Sequence, residues 1–270
     1  MFKLFIVSAA STLFLFAASL SQADEPVFEW KAGLLTQYFH YEEFNSQGNT
    51  LNQEEGLLPG LQFSLGYSTN RVRHQVQAEV YHGDVDYDGK TQGGIPHRTQ
   101  TDTQLYHLGY RLDTGNTAYG LSAYFSADWH YWSRSIQPVG FIIGLDETYR
   151  WPSISLGLSY PLLHSEQHSL NFSAGYLRLL TGRFTVDLSE LGFSKQEINL
   201  GSGDGEEASL LYRFRLDEKQ SIELELYARR WSFQKSKPET ISNSIRSITF
   251  VEPRSNSLRT GFALRFTAPF

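Results

Sequence analysis

The 270-residue chain contains no cysteine and a single methionine. The lack of cysteine excludes a disulfide-stapled scaffold, a cysteine-ligated metal site and a cysteine nucleophile. Basic residues are also few, because 23 Lys and Arg stand against 29 Asp and Glu and give a formal net charge of −6. Such a chain lacks the basic face that neutralising a nucleic-acid backbone needs, so we expect no nucleic-acid partner. A mean hydropathy of −0.35 excludes a bundle of membrane helices.

The first 23 residues have the pattern of a secretory signal peptide. Lys3 provides a positive start, residues 4–20 are apolar apart from Ser and Thr, and small Ser21 and Ala23 precede the acidic Asp24. The apolar run is too short and too interrupted for a spanning helix of ~20 residues. We therefore predict a signal peptide over 1–23, cleaved after Ala23, and one domain over 24–270. An uncleaved anchor is the alternative.

Apolar and polar residues alternate over about ten segments of the remaining chain, which is the period of a β-strand. Examples are the stripes Leu61, Phe63 and Leu65, and Leu258, Thr260, Phe262, Leu264 and Phe266. No window offers a convincing amphipathic helix. An even number of strands allows an antiparallel meander to close on itself, so we predict an all-β, transmembrane, up-and-down antiparallel barrel of about ten strands.

The predicted connections alternate between short and long, as the turns and loops of an outer-membrane barrel do. The short ones cover 68–71, 113–117, 161–168 and 217–220, and the long ones cover 43–60, 83–101, 136–147, 181–206 and 235–256. A soluble lipocalin-like barrel or a sandwich would also alternate. The aromatic share of 14%, concentrated at stripe ends, instead indicates interfacial girdles in a bilayer.

The last eleven residues, from Thr260 to Phe270, alternate apolar side chains and end on Phe. They resemble the terminal strand of bacterial outer-membrane barrels, although Pro269 departs from that pattern. The resemblance implies the Gram-negative outer membrane as location and the barrel-insertion machinery as a partner that recognises this strand. We expect the barrel to be a monomer.

The side chains opposite the apolar stripes are expected to line the barrel interior. The predicted polar network of the lumen comprises Arg213, Arg215, Glu223, Glu225, Arg229, Arg259 and Arg265. A turn near Lys219 would place Arg215 opposite Glu223, and Arg213 opposite Glu225. Because ten strands enclose little more than their own side chains, we predict a mostly plugged interior. A narrow small-solute channel is the alternative.

An Asp-x-Asp-x-Asp-Gly run follows the predicted third strand. Asp84, Asp86 and Asp88 have the spacing that opens an EF-hand calcium loop, and Gly89 suits its sharp turn. The glutamate expected at the twelfth position is Ile95, so Asp102 would have to help. We predict either weak calcium binding or a solvated acidic turn, and no other cofactor.

A second constellation contains Asp128 and His130, since an Asp that orients a His is half of a general-base device. Strand number, mature length and the pair Asp84 and Asp86 resemble the omptin proteases, which set two Asp and an Asp-His dyad around a water. The seventh strand lacks the omptin Asp-x-His, however, and the Trp-Thr-Asp signature is missing. The resemblance, shared with a neisserial adhesin of the same barrel size, therefore implies architecture more than protease activity.

Aromatic and basic residues at the predicted outer ends of strands suit contact with lipopolysaccharide phosphates and sugars. The candidates are Trp132, Arg134, Arg150 and Arg230, which would equally suit a simple outer girdle. The leading hypothesis is thus a non-enzymatic surface protein for binding, adhesion or envelope structure. The competing hypothesis is an omptin-like hydrolase using Asp84, Asp86, Asp128 and His130, which requires all four side chains to meet at one water.

Overall fold

The computed structural model describes residues 26–69, 72–91, 94–114, 120–242 and 247–270. The predicted signal peptide lies outside these residues. In the part of the chain that is described, no helix is long and apolar enough to cross a membrane.

Nearly all described residues belong to β-strands or to the turns between them. Ten long strands within the described residues are β1 (Val27–Phe44), β2 (Thr50–Ser68), β3 (Val72–Lys90), β4 (Pro96–Thr114), β5 (Ser122–Ile136), β6 (Leu145–His164), β7 (His168–Leu179), β10 (Gly203–Arg215), β11 (Ser221–Phe233) and β14 (Arg254–Pro269). Four short strands are β8 (Arg183–Asp187), β9 (Gln196–Asn199), β12 (Glu239–Ser242) and β13 (Ser247–Phe250).

The long strands form one closed antiparallel barrel. Each pairs with its neighbours along the chain, β5 pairs with β6, and β14 pairs with β1 over the whole length from Glu29↔Pro269 to Phe44↔Arg254. This closure leaves the barrel without a free edge, which confirms the predicted ten-stranded up-and-down topology. β7 ends at Leu179, and beyond that point the strand that pairs with β6 is β8. β9 pairs with β8 in turn. The barrel wall therefore extends past the ends of β7 and β10 at the rim with the longer connections.

A band of outward apolar side chains encircles the barrel. It covers residues 28–38 of β1, 57–67 of β2, 74–80 of β3, 106–112 of β4, 123–129 of β5, 154–162 of β6, 170–176 of β7, 208–214 of β10, 222–228 of β11 and 260–266 of β14. These lengths are close to the roughly nine to eleven residues that a tilted strand needs to cross lipid. We treat them as the membrane-spanning segments.

The two faces of β14 show the polarity that the alternation predicts. Phe262 and Leu264 are 45% and 46% exposed on the outer wall, whereas Arg265 is 8% exposed inside. Leu34 and Leu156 are also exposed to the outside, at 62% and 63%. The apolar faces therefore meet lipid, and the charged faces look inward.

Beyond the band, at the rim with the longer connections, alternate residues of each strand still point outward and inward as before. The outward side chains there become polar, however, and inward ones become apolar. In β3 the outward residues change from Val80 to Asp84 and Asp86, while the inward ones become Val85 and Tyr87. A strand that leaves lipid for water must turn polar on its outside, and an interior closed from water must turn apolar.

This extension makes two predicted loops wrong in their bounds. The connection after β1 is a tight turn over 45–49, in which the Asn45 N–H donates to the Asn49 carbonyl. After β3, the Thr91 N–H donates to the Ile95 carbonyl, so the two strands come together there. Judged by polarity alone, these strands would end where their outer faces become polar. The polar segments are strands that stand in water, so the expected long loops are short.

Candidate functional site

The interior of the barrel has a polar lower part and a packed upper part. The lower part is a cavity of about 500 Å³ that reaches the short-turn rim at Ser68, Thr69 and residues 164–169. In outer-membrane barrels this rim and both chain ends face the periplasm. The cavity is therefore open toward the periplasm.

Glu223 is the centre of the lower charge network. It is fully buried and lies 2.7 Å from the Lys31 ammonium and 2.5 Å from the Arg213 guanidinium. Arg265 adds a hydrogen bond to Glu225. Burying these groups costs little only while they are paired, so the network fixes the facing strands against each other.

The predicted cross-strand pairing of this network is wrong, because each arginine is shifted by two residues relative to the glutamate expected opposite it. Arg213 is opposite Glu223, and Arg215 is opposite Ser221 at the mouth of the cavity. The cause is the turn, where the Asp217 carboxylate accepts backbone hydrogen bonds from Lys219 and Gln220 and so centres the hairpin one residue earlier than expected.

At the upper end of the cavity, a histidine lies between two carboxylates. His107 Nε2 is 2.8 Å from Asp128 Oδ1, and His107 Nδ1 is 3.3 Å from Glu79 Oε2. The Asp128 carboxylate also accepts a hydrogen bond of 2.7 Å from Ser126. His130 stacks on His107 with ring centroids 4.8 Å apart.

The four residues of the hydrolase hypothesis do not converge. Asp128 and His130 are buried inside the barrel, whereas Asp84 and Asp86 lie exposed on its outer wall. The inward partner of His130 is the buried hydroxyl of Ser153, 2.9 Å from Nε2. Strand alternation causes this, because Val85 occupies the inward position next to both outer carboxylates. The structure therefore does not bring the four side chains together at one water.

The three predicted calcium ligands do not surround one point in the structure. Asp84, Asp86 and Asp88 lie along the extended strand β3, where alternate residues are about 7 Å apart, and Asp88 pairs with Arg98 at 3.0 Å. An EF-hand loop instead wraps its carboxylates around one point. Within the described residues, no group of three or more His, Asp or Glu side chains could hold a metal ion.

The upper interior is filled by an aromatic and aliphatic core. Trp132 stacks on Tyr149 with centroids 4.7 Å apart and meets Phe39 and Tyr41 edge-on. The remaining members include Leu58, Val85, Leu105, Trp151, Leu179, Phe184, Val186, Trp231 and Phe233. This core occupies the barrel interior on the extracellular side of the lipid band.

Trp132 and Arg134 were expected on the surface, and the structure corrects this expectation. Both side chains are 3% exposed and point inward, because they share the phase of Asp128 and His130. By contrast, Arg150 and Arg230 lie on the outer wall, where Arg230 pairs with Glu206 at 2.7 Å and Arg150 lies over the Tyr131 ring.

Arg134 is the single cation that the described residues contribute to a buried acidic cluster above the lipid band. Its guanidinium lies 2.5 Å from Glu147, 3.3 Å from Glu54 and 3.5 Å from Glu43. Tyr149 donates a 2.9 Å hydrogen bond to the fourth carboxyl, that of Glu252. Burial raises the pKa of Glu54 to about 7 although Arg134 opposes this rise. Burial and the neighbouring acids also hold the pKa of Glu252 well above its ordinary value.

Sequence reasoning missed the histidine of the first cluster and the carboxyls of the second. His107 shares the inward phase of its strand, and that phase alone could have placed it inside. Glu43, Glu54 and Glu147 lay in expected loops, so no inward phase was assigned to them.

Comparisons with known proteins agree with this architecture. The family model described as "Outer membrane protein beta-barrel domain" matches residues 8–228. The outer membrane protease OmpT from Escherichia coli is similar in structure, with a TM-score of 0.56, 10% identity, and coverage of 94% of this chain and 99% of that one. No match was found among curated proteins.

Two further solved structures have lower scores. Neisserial surface protein A gives a TM-score of 0.38 at 12% identity and covers 92% of this chain and 100% of its own. The toluene transporter TodX of Pseudomonas putida gives 0.36 at 10% identity, with coverage of 92% and 91%. At these identities the likeness concerns the fold alone. Because the family model covers most of the sequence, the chain belongs to the outer membrane protein beta-barrel domain family, whose members lie in the bacterial outer membrane.

Proposed function

We propose that this protein is a non-conducting barrel of the outer membrane that binds lipopolysaccharide from its outer wall and serves envelope structure or surface binding. The observation that carries the proposal is the packed core above the lipid band. Phe39, Trp132, Trp151 and Leu179 occupy the interior there and are each 3% exposed or less. A diffusion channel would need that space for water.

Basic side chains just above the band support lipopolysaccharide as the ligand. Arg150, Arg178 and Arg230 are exposed on neighbouring strands of one side of the barrel. Guanidinium groups bind phosphate through paired hydrogen bonds, and Arg150 also has Tyr131 beneath it at 5.9 Å. The opposite side presents Asp84, Asp86 and other carboxylates, so the binding surface is confined to β6–β11.

Thermal unfolding in vesicles with and without lipopolysaccharide tests this binding. We expect lipopolysaccharide to raise the unfolding midpoint of the wild type, and the double variant Arg150→Gln, Arg178→Gln to lose most of that rise. Arg98→Gln is the matched control, because Arg98 is an exposed arginine engaged with Asp88 on the other side. An equal rise in all three proteins would contradict the proposal.

Conductance in planar bilayers tests the closed interior. Reconstituted wild type is expected to give no current steps, since the core seals the lumen. Removing the largest rings with Trp132→Ala and Trp151→Ala should open a narrow path and produce small steps. Regular steps from the wild type would overturn the non-conducting assignment and favour the small-solute channel.

Two proposals concern biogenesis. Phe270 is 71% exposed at the end of β14, and we propose that this strand is read by the barrel-insertion machinery. Phe270→Ser should then slow assembly in cells while leaving refolding in detergent unchanged. A cleaved signal peptide predicts that the mature protein begins at Asp24, which intact mass measurement would verify or refute.

A further inference from the structure

The upper end of the periplasmic cavity holds a buried arginine without a counter-ion. Arg259 lines this cavity, is 7% exposed, and lies over the Trp231 ring at 4.8 Å and the Phe39 ring at 5.7 Å. Among the described residues Arg259 forms no ion pair, and its Nε has no hydrogen-bond partner. Because burying an unpaired charge is costly, this guanidinium needs an anion.

The register of the sheet adds a second positive charge at the same height. Arg229 of β11 is directly opposite Arg259 of β14. Like charges at directly opposed positions repel each other. Arg229 has a partner in Glu207 at 3.0 Å, so its own charge is balanced and that of Arg259 is not.

The carboxylates nearest to this pair are occupied by other groups. Glu79 faces the His107 ring and accepts the Tyr81 hydroxyl at 3.2 Å, and Asp128 binds the other side of that ring. Neither forms an ion pair with Arg259. The protein thus supplies the guanidinium groups of Arg229 and Arg259 at this height of the cavity, and a bound anion could accept their hydrogen bonds.

The next inward level toward the short-turn rim offers neutral hydrogen-bond donors. The Gln37 Nε2 amide lines the cavity and has no hydrogen-bond partner, while Gln37 Oε1 accepts the Tyr227 hydroxyl at 3.4 Å. Both residues are opposite Gly261, where an added Cβ would lie 2.7 Å from the Tyr227 hydroxyl oxygen. The glycine therefore makes room for the Tyr227 hydroxyl at this level.

We infer that the lumen contains a site for a small oxyanion, a phosphate or carboxylate group, bound by Arg259 together with Arg229 and Gln37. The ligand enters from the periplasm, because the cavity reaches the short-turn rim and the aromatic core closes the other end. A volume of about 500 Å³ accommodates a metabolite-sized molecule and excludes a polymer. This site is separate from the outer arginines that face lipopolysaccharide.

Calorimetric titration of the refolded protein in nonionic detergent with inorganic phosphate and with succinate tests the site. We expect one phosphate or succinate per barrel, with the affinity reduced at least tenfold in Arg259→Gln and unchanged in the outer-wall control Arg98→Gln, whose guanidinium is paired with Asp88. The preferred probe distinguishes a phosphate site from a carboxylate site. Absence of saturable binding of both anions, or equal affinity in Arg259→Gln, overturns the inference.

A second measurement covers the case in which Arg259→Gln does not fold. The chain has no native cysteine, so Ser209→Cys places a single thiol in the cavity beside Tyr227. A negatively charged methanethiosulfonate should modify it faster than a positive one of equal size, and bound phosphate or succinate should slow the reaction. Faster modification by the cationic reagent, with no protection by either anion, would contradict an oxyanion site.

Discussion

Removing Arg134 isolates the energetics of the buried acidic cluster. Its guanidinium is 3% exposed and, in the part of the chain that the structure describes, is the single cation paired with Glu43, Glu54 and Glu147. Replacement by Met leaves these carboxyls buried without compensation, and breaking a buried pair in this way costs about 3–5 kcal/mol. We expect Arg134→Met to lower the free energy of unfolding by that amount at pH 8.

The loss should depend on pH, with a sign set by Glu54. Burial raises the pKa of this carboxyl from 4.5 to about 7 in the folded state. The folded protein therefore holds this proton more tightly than the unfolded chain does, so the contribution of Glu54 to stability is complete below pH 4.5 and is lost as the pH rises through 7. The fall amounts to roughly 3 kcal/mol for this one group. Arg134→Met should accordingly cost less at pH 5 than at pH 8.

Denaturant unfolding in lipid vesicles at both pH values measures these quantities, with Glu54→Gln as the matched variant. Gln keeps the shape and removes the titrating proton, so its unfolding free energy should vary less with pH than that of the wild type. At pH 8 it should be as stable as the wild type or more so. A cost below 1 kcal/mol for Arg134→Met at pH 8, or an unchanged pH slope in Glu54→Gln, would refute this reasoning.

Two further substitutions test the wall. Leu264→Arg places a charge in the middle of the lipid band and should lower the free energy of unfolding by about 2–4 kcal/mol in the same assay. Leu258→Arg, at the outer edge of the band, should lower it by at most about 1 kcal/mol. Equal losses in the two variants would contradict the placement of the lipid band. Gly175→Val would push a side chain into the Tyr124 hydroxyl and should cost about 1–3 kcal/mol, while Gly120→Ala, with open space around it, should be neutral; a silent Gly175→Val would contradict the packing.

The sequence was sufficient for the fold because lipid imposes one rule on every strand. An outward residue within the band is apolar, so the stripe containing Phe262 and Leu264 gave the strand, its phase and its outer face. The same phase predicted that Arg259 and Arg265 point inward. Both inferences depend on local alternation, which the sequence displays directly.

The site was less predictable because the rule changes where the strands leave lipid. Asp84 and Asp86 continue the outward phase of Val80 in water, but their polarity suggested a loop and a metal site. Trp132 and Arg134 share the phase of His130, yet their residue types suggested a surface. In each case phase was the better guide. The pairing of Arg213 with Glu223 further depended on the Asp217 turn, whose centre the alternation leaves undetermined.

The central claim is that the strands keep their phase while their polarity reverses at the outer edge of the lipid. Spin labels on single cysteines in the cysteine-free chain, placed at positions 80, 84 and 85 of β3, test it most directly. The label at Val80 should be accessible to oxygen in lipid, the label at Asp84 to an aqueous nickel chelate, and the label at Val85 to neither. A label at position 85 that the nickel chelate reaches, together with a shielded one at 84, would contradict the claim.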